Sequence, residues 1–430
     1  MAKSSTARLV LYLNGLLLGY LEHKTSSDLT FTYAQEWIDK EKAFPLSRSL
    51  PIREQPYEGK EVFAYFDNLL PDNVSIRQRI AAKMHASSDQ VFDLLTVVGR
   101  DCVGAIQFVS ENLEAPKLEN ATGVIVSDSE IAEKLKNLDI SPLAASEEDD
   151  FRLSIAGAQE KTAFLRLENK WQIPTGATAT THIFKPQMGL LERGKSFSDS
   201  VENEWLCSKI VQEYGIPVAN CDIETFEDVK VLVVQRFDRA WNQKELIRLP
   251  QEDLCQALSV PNFQKYESDR GPSIKAIMEL LQESKYPERD RKNFLKTQVV
   301  FFIIAGIDGH AKNFSIKWMP NGFELTPLYD IISAFPLVAA GKLPYEKLKM
   351  AMSVGDNRHY KLNDIHRRHF VQTAKSCRFN VDEFETMIDE LMVETPSVIN
   401  RLVNRISDVP KNVYEPIFDG MIRSLVALRA

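Results

Sequence analysis

The sequence predicts an α+β protein with two lobes, a β-rich N-terminal part followed by a mainly helical C-terminal part. Up to about residue 253, short apolar runs that alternate or carry β-branched residues are separated by turn dipeptides. From about Leu254 onward, apolar residues recur at helical intervals over longer segments, such as residues 289–307. This order of a β-rich lobe and a helical lobe is also the layout of protein kinases.

Composition limits the class of protein. The chain has 430 residues, of which 44% are hydrophobic and 26% charged, as in ordinary globular proteins of two or three domains. A net charge of -8 argues against a protein that coats nucleic acid by charge alone. We expect four segments: a β-rich N-terminal subdomain (1–110), an acidic connecting segment (111–150), an N-lobe core (151–253) and a helical C-terminal lobe (254–430).

The cysteines and the apolar segments predict a cytoplasmic location. The five cysteines are scattered and form no C-x-x-C pair, which favours free thiols in a reducing compartment. No long apolar stretch follows the first residues, so we expect no signal peptide. The most apolar run, residues 299–307, is about half as long as a membrane span.

The N-terminal subdomain is expected to begin with a small antiparallel meander. Asn14-Gly15 between two apolar runs predicts a type I′ hairpin, and residues 29–33 alternate as a third strand would. Residues 74–84 and 91–98 have helical spacing, with Ser88 as a candidate N-cap of the second helix. Residues 99–105 are either a phosphate-binding turn or a tight connection, and the absence of a P-loop motif favours the connection.

The next elements follow in order. We expect one short helix near residues 129–138 within the acidic segment. Residues 151–155, 162–167, 171–174, 181–185 and 229–234 are predicted strands. Residues 201–214 are a predicted helix that Gly215 ends. Further helices are predicted at residues 273–282, 289–307, 371–377, 382–393 and 397–406.

The strongest chemical signal is the spacing of Asp308, Asn313 and Asp330. An Asp, an Asn five residues later and a second Asp recur in phosphoryl-transfer enzymes, as a catalytic base and two Mg²⁺ ligands on ATP. A hairpin through Asn321-Gly322 would return Asp330 toward Asn313. Taken singly, Asp308 and Asn313 would more often be a helix end. His310 and Lys312, between them, are candidates for phosphate contact.

Three further features suit the nucleotide. The small-residue turn at residues 156–161 would let backbone N–H groups approach an anion, although by itself it resembles a plain hairpin turn. Lys185 ends a strand and is a candidate phosphate partner, with Glu202 and Glu204 as possible ion-pair partners. Gln235, Arg236 and Phe237 stand where a kinase hinge would bind adenine. For Arg236, with Asp238 and Arg239, a structural ion-pair cluster is the favoured interpretation.

Together these motifs resemble the HipA family of toxin kinases over nearly the whole chain. The resemblance lies in DDFRLSIAGAQEK (149–161), THIFK (181–185), RFDR (236–239), LPQED (249–253), DGHAKN (308–313) and YDIISA (329–334). FDNLLP (66–71) and GRD (99–101) extend it into the N-terminal part. The chain departs from eukaryotic kinases, because Ile307 precedes the Asp where they have Arg, and Tyr329-Asp330-Ile331 replaces Asp-Phe-Gly.

The resemblance implies a serine/threonine protein kinase that uses ATP and Mg²⁺. It implies that Asp308 is the catalytic base, that Asn313 and Asp330 bind the metal, and that Ser154 is an autophosphorylation site that expels the phosphate loop. The ATP-binding residues that it implies are Ala156, Gly157, Ala158, Gln159, Glu160, Lys161, Lys185, Gln235, Arg236, Phe237, His310, Ala311, Lys312, Asn313, Tyr329 and Asp330.

The resemblance also implies partners and a biological role. They are a HipB-like helix-turn-helix antitoxin dimer, operator DNA contacted mainly through that antitoxin, and glutamyl-tRNA synthetase as the phosphorylated protein. The outcome would be blocked translation, persistence and multidrug tolerance. Two other functions stay open: a corepressor that binds an antitoxin and has vestigial kinase activity, and a small-molecule kinase of similar build.

Overall fold

The computed structural model describes residues 7–23, 28–138, 153–191, 195–197 and 199–429, with the backbone alone for residues 189–191 and 195–197. The chain divides into two compact units. Unit 1 comprises residues 1–186 and 224–263, and unit 2 comprises residues 187–223 and 264–430. The compact units are therefore not consecutive in sequence, because residues 187–223 belong with the C-terminal half. The division into four segments at residues 1–110, 111–150, 151–253 and 254–430 therefore remains a prediction.

The strands and helices are numbered in chain order. The strands are β1 (Ala7–Leu13), β2 (Leu16–His23), β3 (Leu29–Tyr33), β4 (Tyr57–Glu58), β5 (Ile106–Ser110), β6 (Gly123–Ile125), β7 (Thr162–Leu167), β8 (Lys170–Pro174), β9 (His182–Pro186), β10 (Met188–Leu191), β11 (Lys195–Phe197), β12 (Cys221–Phe226), β13 (Val229–Gln235), β14 (Arg239–Asn242), β15 (Glu245–Arg248), β16 (Gln251–Asp253), β17 (Ser315–Met319), β18 (Gly322–Leu325), β19 (Lys349–Val354) and β20 (His359–Lys361).

The helices are α1 (Gln35–Ile38), α2 (Lys60–Asp67), α3 (Val74–Lys83), α4 (Val91–Val98), α5 (Asp128–Lys136), α6 (Ser200–Glu213), α7 (Leu254–Ala257), α8 (Ile274–Leu280), α9 (Pro287–Ile304), α10 (Phe335–Ala339), α11 (Arg367–Ser376), α12 (Val381–Val403) and α13 (Lys411–Arg429). Sheets thus dominate the chain before residue 254 and helices dominate after it, as predicted. Among the described helices, none is both long and apolar enough to cross a membrane.

Unit 1 begins with an antiparallel sheet of order β4-β3-β2-β1-β5. The predicted hairpin is confirmed, since Asn14 and Gly15 both have positive φ, 48° and 82°. Helices α2, α3 and α4 contribute to the core over this sheet, which includes Phe31, Phe66 and Leu95. Leu153 and Ile155 belong to the same core, so the chain returns to the N-terminal sheet just before the predicted phosphate loop.

A second sheet of unit 1 has the order β12-β13-β9-β7-β8-β6. Helix α5 packs on it through Ile131 and Leu135, which share a core with Phe164, Phe184 and Val233. The predicted connecting segment 111–150 is therefore partly structural, because β6 pairs with β8 and α5 covers the sheet. The helix expected near 129–138 is confirmed, and it begins at a capping box formed by Ser127 and Glu130.

A buried ion cluster joins distant parts of unit 1, and it consists of Asp101, Arg236, Asp238, Arg239 and Arg248. Asp101 accepts from Arg239 at 2.9 Å and from Arg236 at 3.3 Å, and Arg248 lies 3.2 Å away. The Thr180 backbone and hydroxyl donate to the same carboxylate. Burial opposes ionisation, but Arg239, Arg236 and Arg248 outweigh it and hold the pKa of Asp101 below its ordinary value.

Unit 2 is built around α9, whose second half is buried on all sides. Its buried residues include Phe294, Val299 and Phe302, and it packs against α6, α12 and α13. Phe302 meets Phe370 of α11 edge to face, with 5.5 Å between ring centroids. The predicted helix 289–307 ends three residues earlier than expected, because Ala305 adopts a left-handed conformation as the C-cap.

Three predicted elements differ from the structure. Residues 153–155 form no strand, only an isolated bridge between Leu153 and Asp101, and residues 151–152 lie outside the described part. The helices expected at 382–393 and 397–406 are one helix, α12, that contains Pro396. Packing of α12 on α6, α9 and α13 compensates for the hydrogen bond that the proline lacks.

The third difference concerns the start of α4, and several elements had not been predicted. The N-cap of α4 is Gln90 and not Ser88. The Ser88 hydroxyl accepts a hydrogen bond from the Gln90 N–H and donates one to Asp93. Helix α13 and the β19–β20 pair were not predicted from the sequence. Helix α13 has an apolar face but also contains Pro416, which obscures its helical pattern.

The ion cluster yields the first testable prediction. Asp101→Asn would leave three buried guanidinium groups facing one carboxylate, so we expect a loss of about 3–5 kcal/mol in the free energy of unfolding. Urea denaturation followed by tryptophan fluorescence measures it. Asp228→Asn is the control, because Asp228 pairs with Lys136 at the surface, and it should change little. Equal stability of the two variants would contradict the prediction.

Candidate active site

The candidate catalytic loop follows α9 in unit 2 and is held by its own backbone. The His310 N–H donates to the Asp308 carbonyl at 2.8 Å, and the Asn313 N–H donates to the His310 carbonyl at 2.9 Å. Residues Ala311–Asn313 form a 3₁₀ turn that is buried, whereas the Asp308 side chain is 54% exposed. An exposed carboxylate on a rigid, buried loop can reach a substrate without moving its backbone.

The Asn313 side chain is oriented by the same loop. Its amide nitrogen Nδ2 donates to the Asp308 carbonyl at 2.8 Å, which turns Oδ1 away from that carbonyl. This hydrogen bond assigns the two ends of the amide and directs an oxygen outward. Asn313 is buried and its loop is tightly bonded, so the orientation of that oxygen is set by the fold.

Glycine is required between Asp308 and His310. A Cβ at Gly309 would lie 2.4 Å from two ring carbons of Phe301, a distance that requires the Phe301 ring, the loop or α9 to shift. Phe301 is itself buried in α9 and contacts Phe314 after the loop. The loop therefore lies directly against α9, the helix that precedes it. This contact helps to fix the position of Asp308 relative to α9.

Asp330 is brought to this loop by hydrogen bonds on both of its sides. Before it, the Tyr329 hydroxyl donates to the Lys312 carbonyl at 3.0 Å and bonds the Ser315 hydroxyl at 2.6 Å. After it, Ser333 Oγ donates to the Ile304 carbonyl at 2.6 Å, and the Ala334 N–H donates to the Ala305 carbonyl at 3.0 Å.

These ties clamp the segment around Asp330 to the chain on both flanks of Asp308. Asp330 itself has a positive φ of 61°, a conformation that Asp tolerates better than bulkier residues. The predicted hairpin is present as β17 and β18, with Asn321 and Gly322 in its turn. The structure therefore groups Asp308, His310, Ala311, Lys312, Asn313, Tyr329 and Asp330 at the root of one hairpin.

The predicted phosphate loop, residues 156–161, lies in unit 1 and is closed by its own lysine. Lys161 is buried, and its ammonium donates to the Ala156 carbonyl at 3.0 Å. Gly157 has a φ of 111°, and a Cβ there would lie 2.4 Å from that ammonium. Glycine is favoured here chiefly because residues with a side chain rarely adopt this φ, and a Cβ would also require the lysine ammonium to shift.

Contacts with the N-terminal subdomain hold the same loop in place. The Gly157 carbonyl accepts from the Asp72 N–H at 3.0 Å, and Glu160 forms an ion pair with Arg79 of α3. Ser154 is fully buried, and its hydroxyl donates to the Leu69 carbonyl at 2.8 Å. Sequence reasoning did not predict these contacts, although the FDNLLP motif that supplies Leu69 stood out in the sequence.

The remaining nucleotide candidates of unit 1 lie on adjacent strands. Lys185 of β9 is opposite Leu232 of β13, and His182 is opposite Gln235. Gln159 Nε2 donates to the Pro186 carbonyl at 3.0 Å, so the loop is bonded to the residue after Lys185. Lys185 is buried and Gln235 is exposed. Burial and the charge of Arg166 lower the pKa of His182 to about 4, so His182 is neutral at physiological pH.

Arg236 contributes to unit 1 mainly as a structural residue. Its guanidinium bonds Asp238 at 2.8 Å and the Cys102 carbonyl at 2.8 Å within the ion cluster. Its backbone N–H donates to the Thr181 carbonyl, which continues the β9–β13 pairing. The ion-pair interpretation of Arg236, Asp238 and Arg239 is therefore confirmed, and any nucleotide contact by Arg236 falls to its backbone.

The Glu202 carboxylate accepts a hydrogen bond within unit 2. It accepts from Gln187 Nε2 at 2.6 Å, and the Gln187 amide oxygen in turn accepts from the Val201 N–H at 3.0 Å. These bonds fix the start of α6. Asn203, next to Glu202, exchanges two hydrogen bonds of 2.9 Å with the backbone of Ser333, so α6 also supports the segment that follows Asp330.

Family models match most of the chain. The model described as HipA-like C-terminal domain matches residues 153–399, and the model described as HipA N-terminal domain matches residues 9–109. The chain belongs to the HipA family. The first match contains all of the site residues described above, and the resemblance seen in the sequence motifs is thereby confirmed.

Individual relatives agree with this membership. The chain is 31% identical over 413 residues to “Putative kinase Y4mE” of Sinorhizobium fredii, covering 94% of this chain and 91% of that protein. It is 26% identical over 348 residues to the serine/threonine-protein kinase toxin HipA of Shewanella oneidensis, covering 77% and 76%. This HipA-family chain is accordingly a kinase.

One solved structure shows the same fold over nearly the full length. It is the Shewanella oneidensis MR-1 toxin antitoxin system of HipA, HipB and its operator DNA, with a TM-score of 0.81 and 22% identity. The match covers 98% of this chain and 97% of that chain. The predicted α+β, two-lobed, kinase-like fold is confirmed by this likeness.

The contact between Gly309 and Phe301 leads to a prediction for the catalytic loop. Gly309→Ala should displace Asp308 and lower the rate of ATP-dependent phosphorylation about 100-fold, because small misplacements of a catalytic group are costly. Gly306→Ala is the control, since its Cβ would approach the same ring no closer than 3.3 Å. A Gly309→Ala protein as active as the Gly306→Ala protein would contradict this packing argument.

Proposed function

We propose that this HipA-family kinase transfers the γ-phosphate of ATP to a serine or threonine hydroxyl of a protein, as the toxin of a type II toxin–antitoxin pair. The observation that carries the proposal is the double clamp on the Asp330 segment, through Tyr329 to Lys312 and through Ser333 to Ile304. The clamp supports a site in which a base and two metal ligands lie at one hairpin root, as phosphoryl transfer requires.

In the proposed site Asp308 accepts the proton of the attacking hydroxyl. Its exposed carboxylate suits contact with an acceptor from solvent. Asn313 Oδ1 and the Asp330 carboxylate would hold Mg²⁺, and both are hard oxygen donors that fit this ion. The Mg²⁺ would neutralise charge on the ATP phosphates. Four further residues are proposed to contact the nucleotide: His310, Ala311, Lys312 and Tyr329.

Unit 1 carries its own set of proposed nucleotide contacts. The loop from Ala156 to Lys161 and the buried Lys185 would contact phosphates, and Gln235, Arg236 and Phe237 would contact adenine. Support comes from the Gln159–Pro186 hydrogen bond, which ties the loop to the strand of Lys185. The ammonium of Lys161 beneath the loop adds a positive charge next to Gly157, where backbone N–H groups can approach an anion.

Autophosphorylation of Ser154 would switch the kinase off. The Ser154 hydroxyl is fully buried and bonded to the Leu69 carbonyl, so a phosphate of charge about -1.5 to -2 could not remain there. Ser154 stands two residues before the phosphate loop, and expulsion of one would carry the other with it. The same burial implies that the segment must open before the hydroxyl can react.

The proposed partners follow the family. A HipB-like helix-turn-helix antitoxin dimer would hold the kinase inactive, and operator DNA would be contacted mainly through that antitoxin, in keeping with the net charge of -8. Glutamyl-tRNA synthetase is the proposed substrate, with persistence and multidrug tolerance as the outcome. A cytoplasmic location is proposed because Cys102, Cys207, Cys221, Cys255 and Cys377 are all buried and free.

The first test of the proposed function concerns the catalytic base, Asp308. Purified chain incubated with ATP and Mg²⁺ should gain the mass of phosphate, and Asp308→Asn should lower the rate by at least about 100-fold, because a general base contributes on that order. Intact-mass spectrometry over time measures it. Asp356→Asn, an exposed Asp of the same unit, should react like the unchanged chain. Incorporation by the Asp308→Asn protein at the unchanged rate would refute the proposal and favour the corepressor.

The second test concerns the proposed inactivation of the kinase by phosphorylation of Ser154. Phosphopeptide mapping should find the phosphate on Ser154, and hydrogen exchange at residues 153–161 should rise after phosphorylation, because the buried hydrogen bonds of this segment are lost. Ser154→Ala should prevent both changes and stay active toward an added protein substrate. Ser127→Ala serves as a control at an exposed serine. Phosphate at Ser154 with unchanged exchange would contradict expulsion of the loop.

A further inference from the structure

Tyr266 contacts the candidate base although nothing in the sequence pointed to it. Its hydroxyl donates a hydrogen bond to Asp308 Oδ1. Its ring meets the ring of His310 edge to face, with centroids 4.8 Å apart and planes at 90°. His310 Nε2 in turn lies 3.8 Å from the same carboxylate oxygen. Tyr266, Asp308 and His310 thus form one connected group within unit 2.

The backbone of Tyr266 is held rigidly by local bonds. Its carbonyl accepts from the Asp269 N–H at 3.0 Å and from the Gly271 N–H at 2.9 Å. The next residue, Glu267, is buried and accepts from the Ser353 backbone at 2.6 Å and from the Ser353 hydroxyl at 2.9 Å. Tyr266 is therefore fixed to the body of unit 2 before its hydroxyl reaches Asp308.

The hydrogen bond from Tyr266 restricts the rotation of the Asp308 carboxylate. Its side chain is 54% exposed, and the terminal torsion of an Asp side chain is soft, so an exposed carboxylate rotates easily. A hydrogen bond from a phenol to a charged oxygen is among the stronger ones in proteins and restricts that rotation.

We propose that Tyr266 is a positioning residue for Asp308: the Tyr266 hydroxyl bonds Oδ1 and thereby fixes the orientation of the carboxylate toward the acceptor hydroxyl. This inference rests on the proposed function. Tyr266 itself takes no part in bond making. It acts through the orientation of the base, so its loss should lower the rate of the chemical step and leave ATP binding unchanged.

The test compares Tyr266→Phe with the unchanged full-length chain. Tyr266→Phe keeps the ring against His310 and removes only the hydroxyl. We measure the initial rate of phosphate incorporation into the chain as a function of ATP concentration, with Mg²⁺. The rate at saturating ATP should fall about tenfold, the usual scale for a lost hydrogen bond to a charged group, while the half-saturating ATP concentration stays the same.

Two controls separate positioning from general damage. Tyr360→Phe removes a hydroxyl that Arg358 bonds elsewhere in unit 2, and it should leave both parameters unchanged. Tyr266→4-aminophenylalanine retains a donor at the same position and should recover most of the lost rate. A Tyr266→Phe protein whose half-saturating ATP concentration rises while its thermal unfolding midpoint falls would assign Tyr266 a structural role and overturn the proposal.

Other outcomes are equally decisive. If Tyr266→Phe matches the unchanged chain while Asp308→Asn is inactive, the proposed function stands and the positioning role is refuted. If Tyr266→Phe is faster, the hydroxyl competes with the acceptor for the base, and positioning is again refuted. If the unchanged chain shows no phosphate incorporation that depends on Asp308, the proposed function and the inference that rests on it both fail.

Discussion

The carboxylate of Asp101 is the interaction on which unit 1 depends. It is fully buried, and Arg236, Arg239 and Arg248 surround it. A buried charge is tolerated only when such partners and further hydrogen bonds satisfy it, and here carbonyl groups of Cys102, Gly104 and Ala177 accept hydrogen bonds from the guanidinium groups. The cluster thereby fixes the relative positions of chain segments that no continuous strand or helix connects.

The ion cluster adjoins the proposed nucleotide contacts of unit 1. The backbone carbonyl of Asp101 accepts from the Ser154 N–H at 3.0 Å, while its side chain bonds Arg236 beside the proposed adenine contact. One residue therefore supports both the segment that leads into the phosphate loop and the strand end at Gln235.

In unit 2, the main structural feature is the fixed position of an exposed carboxylate, that of Asp308. Asp308 stands on a buried loop, against Phe301 of α9, and the segment of Asp330 is bonded to the chain on both sides of that loop. Backbone and hydroxyl groups, which carry no net charge, make most of these bonds. Tyr266 and His310 both approach the carboxylate of Asp308 closely.

Much of the local structure could be predicted because its causes are local. Asn14-Gly15 and Asn321-Gly322 adopt the positive φ angles that define their hairpins, and α3, α4, α6 and α9 follow their apolar periodicity. Predictions failed where distant contacts outweighed local preference. Helix α12 packs on α6, α9, α11 and α13 and continues through Pro396, and Leu153 forms a single bridge with Asp101 instead of a regular strand.

The sequence by itself determined the two-lobed fold class, the family and the spacing of Asp308, Asn313 and Asp330, because these depend on residues near one another in the chain. Only the tertiary structure decided that Ser154 is buried against Leu69, that Arg236 pairs with Asp101 and that Tyr266 bonds Asp308. Those pairs are separated by 85 residues for Ser154, 135 for Arg236 and Asp101, and 42 for Tyr266. No periodicity or local motif encodes a contact over such distances, since it exists only once the core has brought the segments together.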